Sequence, residues 1–218
     1  FYYFRALNLA KDLGKKESEA ALLSNIGSIF QQKGDYDKAL RYYEESLSLQ
    51  KDEKEKAATY NNIALVYGKK GENEKALEYL FKALDIDERY GNYHGAAKRL
   101  LNIGATYIRA KDYEKAEQYL FEGLSRIRKV GDKYWEGIGL GYIGLLYKDL
   151  GDRQKAIEYL TSAYNLFKSI GAEAPMLESR EELLELGVDP EKPSVEQKQG
   201  QKTNEKQKKK EKEKKKSR

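Results

Sequence analysis

Residues 100–124 read LLNIGATYIRAKDYEKAEQYLFEGL. Leu100, Ile103, Gly104 and Tyr107 fall on one side of a 3.6-residue helix. Ala110-Lys111-Asp112-Tyr113 then breaks the pattern as a turn, with Asp112 where a helix wants its N-cap. Ala116, Leu120 and Gly123 restart it as one side of a second helix. The small residues let two backbones come close, and the Tyr107 ring fills the space beside them. The stretch is a helical hairpin, and no alternating strand pattern competes with it.

Three more segments share the plan: Leu23 to Leu47, Tyr60 to Leu84, and Leu140 to Tyr164. An aliphatic residue precedes a small one at Ile26-Gly27, Ile63-Ala64 and Ile143-Gly144. An aromatic follows at Phe30, Tyr67 and Tyr147, then a turn, then Lys38-Ala39, Lys75-Ala76 and Lys155-Ala156. Gly34, Gly71 and Gly151 sit where a left-handed residue ends the first helix, and Gly91, Gly131 and Gly171 end the second. The Gly27 column recurs after 37, 40 and 40 residues.

This order of residues resembles the tetratricopeptide repeat, whose pattern runs W-x2-L-G-x2-Y, then A-x3-F, then P. Leu or Tyr stands here in the Trp place, the closing Pro is absent, and the period is about 40. The longer period resembles the variant of kinesin light chains, spindle-orientation adaptors and bacterial pheromone-receptor arrays. There the extra residues lengthen both helices and the link between repeats. The resemblance implies an all-α, right-handed helical-hairpin solenoid.

The ends complete the expected layout. Residues 1–14 align with a second helix, because Phe4, Leu7, Ala10 and Gly14 match Phe121, Leu124, Ile127 and Gly131. The parent protein is therefore expected to continue N-terminally, and the face of Phe1, Tyr2 and Tyr3 to be sticky, a route to an oligomer. Four repeats fill 15–171. Residues 172–187 are expected to form a capping helix opened by Pro175 at its first position. Residues 188–218 hold 12 Lys/Arg against 6 Asp/Glu and almost nothing apolar, which predicts a disordered, solubilising Lys-rich tail. That tail carries a net of +6 while the whole chain carries +5, so the body is near neutral at −1. Nucleic-acid binding is accordingly not expected from the overall charge.

Function is sought on the surface of the first helices. Opposite the packing face runs a second stripe. It reads Ala21, Asn25, Ser28, Gln32; then Ala58, Asn62, Leu65, Lys69; then Lys98, Asn102, Ala105, Arg109; then Ile138, Tyr142, Leu145, Asp149. The resemblance implies that this stripe lines a concave groove, with Asn25, Asn62 and Asn102 clamping the backbone of an extended peptide. An amide both donates and accepts, which suits that task. The competing reading is that these asparagines tie neighbouring helices together. Lys69, Lys98, Arg109 and Lys148 make the groove mildly basic, so an acidic peptide is the expected ligand. The carboxylate clamp of chaperone-binding members would need Lys and Asn where Ser24, Ser28 and Asn61 stand, so chaperone-tail binding is not expected.

Catalytic constellations are missing from the sequence. There is no cysteine, and His94 is the only histidine, with no serine near it in sequence. No phosphate loop, zinc motif or calcium loop occurs, and no cofactor or metal is expected. No apolar run is long enough for a membrane span. The expected function is a cytoplasmic protein–protein interaction scaffold or adaptor and not an enzyme. The alternatives are a sensory or regulatory segment of a larger signalling protein, such as a kinase or transcription regulator, and an RNA-binding helical array assisted by the tail.

Overall fold

The computed structural model describes residues 2–192, and within them ten helices and no strand. α1 is Tyr2–Asp12. Four hairpins follow: α2 (Lys16–Gln32) with α3 (Tyr36–Leu49), α4 (Glu53–Lys69) with α5 (Asn73–Arg89), α6 (Tyr93–Arg109) with α7 (Tyr113–Val130), and α8 (Lys133–Asp149) with α9 (Arg153–Ser169). α10 (Glu173–Glu185) is the last helix described. The expected disordered tail lies outside the described residues from 193 onward. Residues 188–192 are held, however: Val188 packs with Leu160, Tyr164 and Leu183, and the Tyr164 hydroxyl donates to Glu191.

Each hairpin closes where the small residue meets the next helix. A methyl added at Gly104 would stand 2.6 Å from Leu120 Cγ, and one at Gly144 equally close to Leu160. At Gly27 it would meet the Tyr43 ring at 2.8 Å. The expected aspartate caps are formed, since Asp35, Asp112 and Asp152 accept from the backbone N–H of Lys38, Lys115 and Lys155. These bonds satisfy donors that the first helical turn cannot satisfy itself.

A further device recurs four times. Phe30, Tyr67, Tyr107 and Tyr147 stack on Tyr42, Tyr79, Tyr119 and Tyr159, with ring centroids 5.4–5.7 Å apart. Lys38, Lys75, Lys115 and Lys155 place their ammonium groups 4.5–5.3 Å from the first ring of each pair. Each hairpin is thus clasped by a cation over a stacked aromatic pair, worth on the order of 1 kcal/mol for each of the two contacts.

The joints between repeats differ in what spans them. First helices approach first helices by backbone, α2 on α4 and α6 on α8. Second helices reach one another through long rings instead, as in Phe81 on Tyr119 (5.9 Å) and Phe121 on Tyr159 (6.2 Å).

Two expectations need correction. The extra length of the repeat goes into helices, most of them 17 residues long, and the links between repeats stay at two or three residues. The 37-residue spacing arises because α3 has only 14 residues. Pro175 is the third helical residue of α10, not the first, because the helix begins at Glu173. Its missing N–H costs nothing there, as that turn has no acceptor to offer.

Candidate functional site

The stripe read from the sequence is not uniform once folded. Asn25 and Gln32 are exposed and Asn62 is half-buried. Asn102 is not available at the surface: it is 6 % exposed, and its amide donates to Asn61 Oδ1 at 2.8 Å. At that position the asparagine ties α6 to α4, and the clamp role assigned to it does not suit the geometry. Ser28 is also engaged, sharing a 3.0 Å hydrogen bond with the Tyr43 hydroxyl, which in turn donates to Gln31 at 2.8 Å. Tyr43 reaches so far because Gly27 leaves room for its ring.

The basic groove contracts to its centre. Lys69 and Leu65 are exposed on α4. Arg109 lies across Gly68, where an added methyl would stand 2.9 Å from its guanidinium, and it donates to Thr106 Oγ1 at 2.8 Å. Lys98 turns its ammonium over the Trp135 ring at 5.2 Å. Lys148 is neutralised by Glu182 and Glu185, each 2.5 Å away, and these bonds hold its pKa above the ordinary lysine value.

Tyr142 and Leu145 stand together at the other end. Burial pushes the Tyr142 hydroxyl above its ordinary value; the Arg109 charge opposes this, while Glu178 and Tyr134 add to it. Arg109 is in turn lowered by burial, with Tyr142 opposing. Tyr142 on α8 therefore feels opposite charges from Arg109 on α6 and Glu178 on α10. Tyr142 and Leu145 line a cavity of about 240 Å³ between α8 and α10.

The helix expected as a cap continues this stripe. Adding the 40-residue period to Ile138, Gly141, Tyr142 and Leu145 gives Glu178, Glu181, Glu182 and Glu185. The same shift takes Ile143 to Leu183, and both are fully buried. α10 thus stands where a first helix of the next repeat would stand, and its groove face is four glutamates. The period holds this signal, since all four glutamates continue columns of the fourth repeat.

His94 bonds Asp132 at 2.7 Å, linking the starts of α6 and α8. Burial would raise the Asp132 carboxyl, but the Trp135 N–H and His94 hold it below its ordinary value. Among the described residues no group of three His, Cys, Asp or Glu could hold a metal, and no helix is long and apolar enough to cross a membrane.

The repeated hairpin geometry defines a helical-repeat module. The tetratricopeptide repeat model matches residues 2–52, 55–129 and 99–169, and the chain belongs to that family. No protein among those of curated function matches it in sequence. Solved structures share the fold. A signal transduction ATPase with a tetratricopeptide repeat sensor (STAND protein PH0952) from Pyrococcus horikoshii matches with a TM-score of 0.68 at 26% identity, over 84% of this chain and 28% of that one. BtubC (BKLC) from P. vanneervenii matches at 0.64 and 17%, over 85% and 88%. A Rap protein complexed with Competence and Sporulation Factor matches at 0.64 and 19%, over 79% and 55%. The chain thus spans about half of that Rap protein and little over a quarter of the STAND protein.

Proposed function

We propose that the chain is an adaptor whose inner groove holds an extended segment of another protein. What supports this reading is the stripe along the first helices, which stays partly exposed after folding. It runs from the exposed amide of Asn25 past Asn62, through the cations Lys69 and Arg109, to the cavity at Tyr142 and Leu145. Exposed amides satisfy a strand of peptide backbone, and a change of charge along the groove sets direction and register. The likeness to a Rap protein solved with a bound factor supports a binding role for this fold. The row of glutamates on α10 repels a phosphate backbone, which argues against the RNA reading.

The test is affinity capture with the full chain, compared with an Asn62→Ala/Lys69→Glu/Arg109→Glu variant matched in melting temperature. Partners that bind the parent should fall by at least about tenfold on the variant, about 1.4 kcal/mol. Equal capture by both would move the binding surface to the outer face of the second helices.

A second reading is favoured by one finding. The STAND protein carries its tetratricopeptide repeats as a sensor within a chain more than three times the matched length. On that reading the same groove serves as the ligand-reading part of a larger signalling protein.

A further inference from the structure

One place on the first helices is filled in a different way at each joint. It is Asn61 on α4, Leu101 on α6 and Gly141 on α8. Asn61 is bonded to Asn102 of the next repeat. Leu101 is fully buried and lies 3.2 Å from where a methyl on Gly139 would stand. Gly141 has nothing within 4 Å of its own absent methyl. The joint between α8 and α10 therefore keeps a hole where its neighbours are closed.

That hole is the 240 Å³ cavity. Leu160 and Phe167 form its floor, and Ile138, Leu145 and the Tyr142 ring its walls. Its lining is mostly apolar, and it opens into the groove. Sites for whole small molecules run to about 300–1,000 Å³, so this one is short of a cofactor and sized for a single large side chain. An apolar cavity open to water gains by admitting one.

The rim decides what may accompany that side chain. Of the four glutamates facing the groove on α10, Lys148 holds Glu182 and Glu185. Glu178 and Glu181 line the cavity and have no ion pair or hydrogen bond among the described residues. A segment bringing a carboxylate here would meet two uncompensated negative charges, whereas a cation would pair with them.

We propose that the α8–α10 cavity is the anchor site for a Leu, Met or Phe side chain of a partner segment that carries Lys or Arg in an adjacent position. This rests on the groove reading above and revises it at one end, since the acidic peptide suggested by the central cations is excluded from this joint. The groove would hold a segment of mixed charge, acidic over Lys69 and Arg109 and basic over Glu178 and Glu181.

The probe is a random-peptide display library selected on the immobilised full chain. The expected enrichment is a large apolar residue beside Lys or Arg. Gly141→Leu projects into the cavity from a backbone with open space at Cβ and replaces a poor helix former with a good one, so it should fold at least as well as the parent. It should weaken the enriched peptides by about tenfold or more. Glu178→Lys/Glu181→Lys should exchange the selected cation for Asp or Glu. Enriched peptides that bind Gly141→Leu as tightly as the parent, or that carry an acid beside the apolar residue, would overturn the proposal. If those peptides are still lost on Lys69→Glu/Arg109→Glu, the groove reading survives without the anchor. A library that yields no enriched peptide overturns both.

Discussion

At the scale of the residue, the third repeat departs from its siblings at one backbone position. Gly34, Gly71 and Gly151 turn the chain with φ of 77°, 78° and 79°. The matching place in the third repeat is Lys111, the one positive-φ residue other than glycine among those described, at 60°. A side chain there crowds the backbone and costs about 1 kcal/mol that glycine avoids. Lys111→Gly should therefore raise the melting temperature by about 2–4 °C, read by circular dichroism. A fall would mean that the lysine side chain stabilises the turn by more than its backbone conformation costs.

At the scale of the element, each hairpin is closed by one lysine with two duties. Lys115 bonds the capping carboxylate of Asp112 at 2.7 Å and covers the Tyr107 ring at 5.3 Å; Lys38 does the same for Asp35 and Phe30. The lysine bonds hold both carboxyls below the ordinary aspartate value. A carboxyl lowered by folding stabilises the fold above its unfolded pKa, about 3.9, and that contribution is lost as pH falls through the lower folded value. Stability should thus be flat near neutrality and decline below about pH 4. Asp112→Asn keeps a capping acceptor but loses the charge, so its melting temperature should fall less steeply over that acid range than the parent's. Parallel acid limbs would show that the aspartate's charge adds nothing beyond its cap. The aspartates and the Lys-Ala pairs are visible in the sequence as columns. Their partner column, Tyr42, Tyr79, Tyr119 and Tyr159, escaped notice because it falls between two recognised positions of the repeat.

At the scale of the molecule, a repeat array is as strong as its joints, since each repeat touches only its neighbours. One pair of places recurs from joint to joint and carries a different chemistry each time. Gln50 Nε2 donates to Thr59 at 3.0 Å, and Asp87 and Arg99 face each other at 3.2 Å; the equivalent places of the next two repeats hold Ile127 with Gly139 and Phe167 with Ser179. Asp87 and Arg99 are only 3% and 12% exposed, and Asn92 adds a 2.7 Å bond to the free Asp87 oxygen. The Asp87–Arg99 contact is ionic without hydrogen-bond geometry, so neither group is well compensated. Burial indeed lowers the Arg99 pKa, with Asp87 opposing. Arg99→Ala should leave a buried, unpaired carboxylate and cost about 3–5 kcal/mol in urea unfolding. Asp87→Ile/Arg99→Ala, which imitates the apolar joint at Ile127, should recover most of that loss. Equal stability of both variants would show that water or another group satisfies Asp87 in the single mutant.

These scales divide what could be read from what could not. Sequence alone determined the hairpins, their turns and caps, and their grouping into four repeats, because those features depend on residues a few places apart and recur at a fixed period. It also held the placement of α10, whose four glutamates continue the groove columns at the same spacing. Tertiary structure alone decided which polar groups remain available. Asn25 and Asn102 occupy the same column, yet one is exposed and the other buried against Asn61 on a different repeat. Lys148 appeared as a groove cation until α10 brought two carboxylates to it. Gly141 looks like any small residue until the neighbouring helix frames the space it leaves empty. The physical reason is common to all three. Backbone conformation follows local geometry, whereas exposure, charge pairing and cavities depend on side chains that approach from other helices, whose positions no single stretch of the chain encodes.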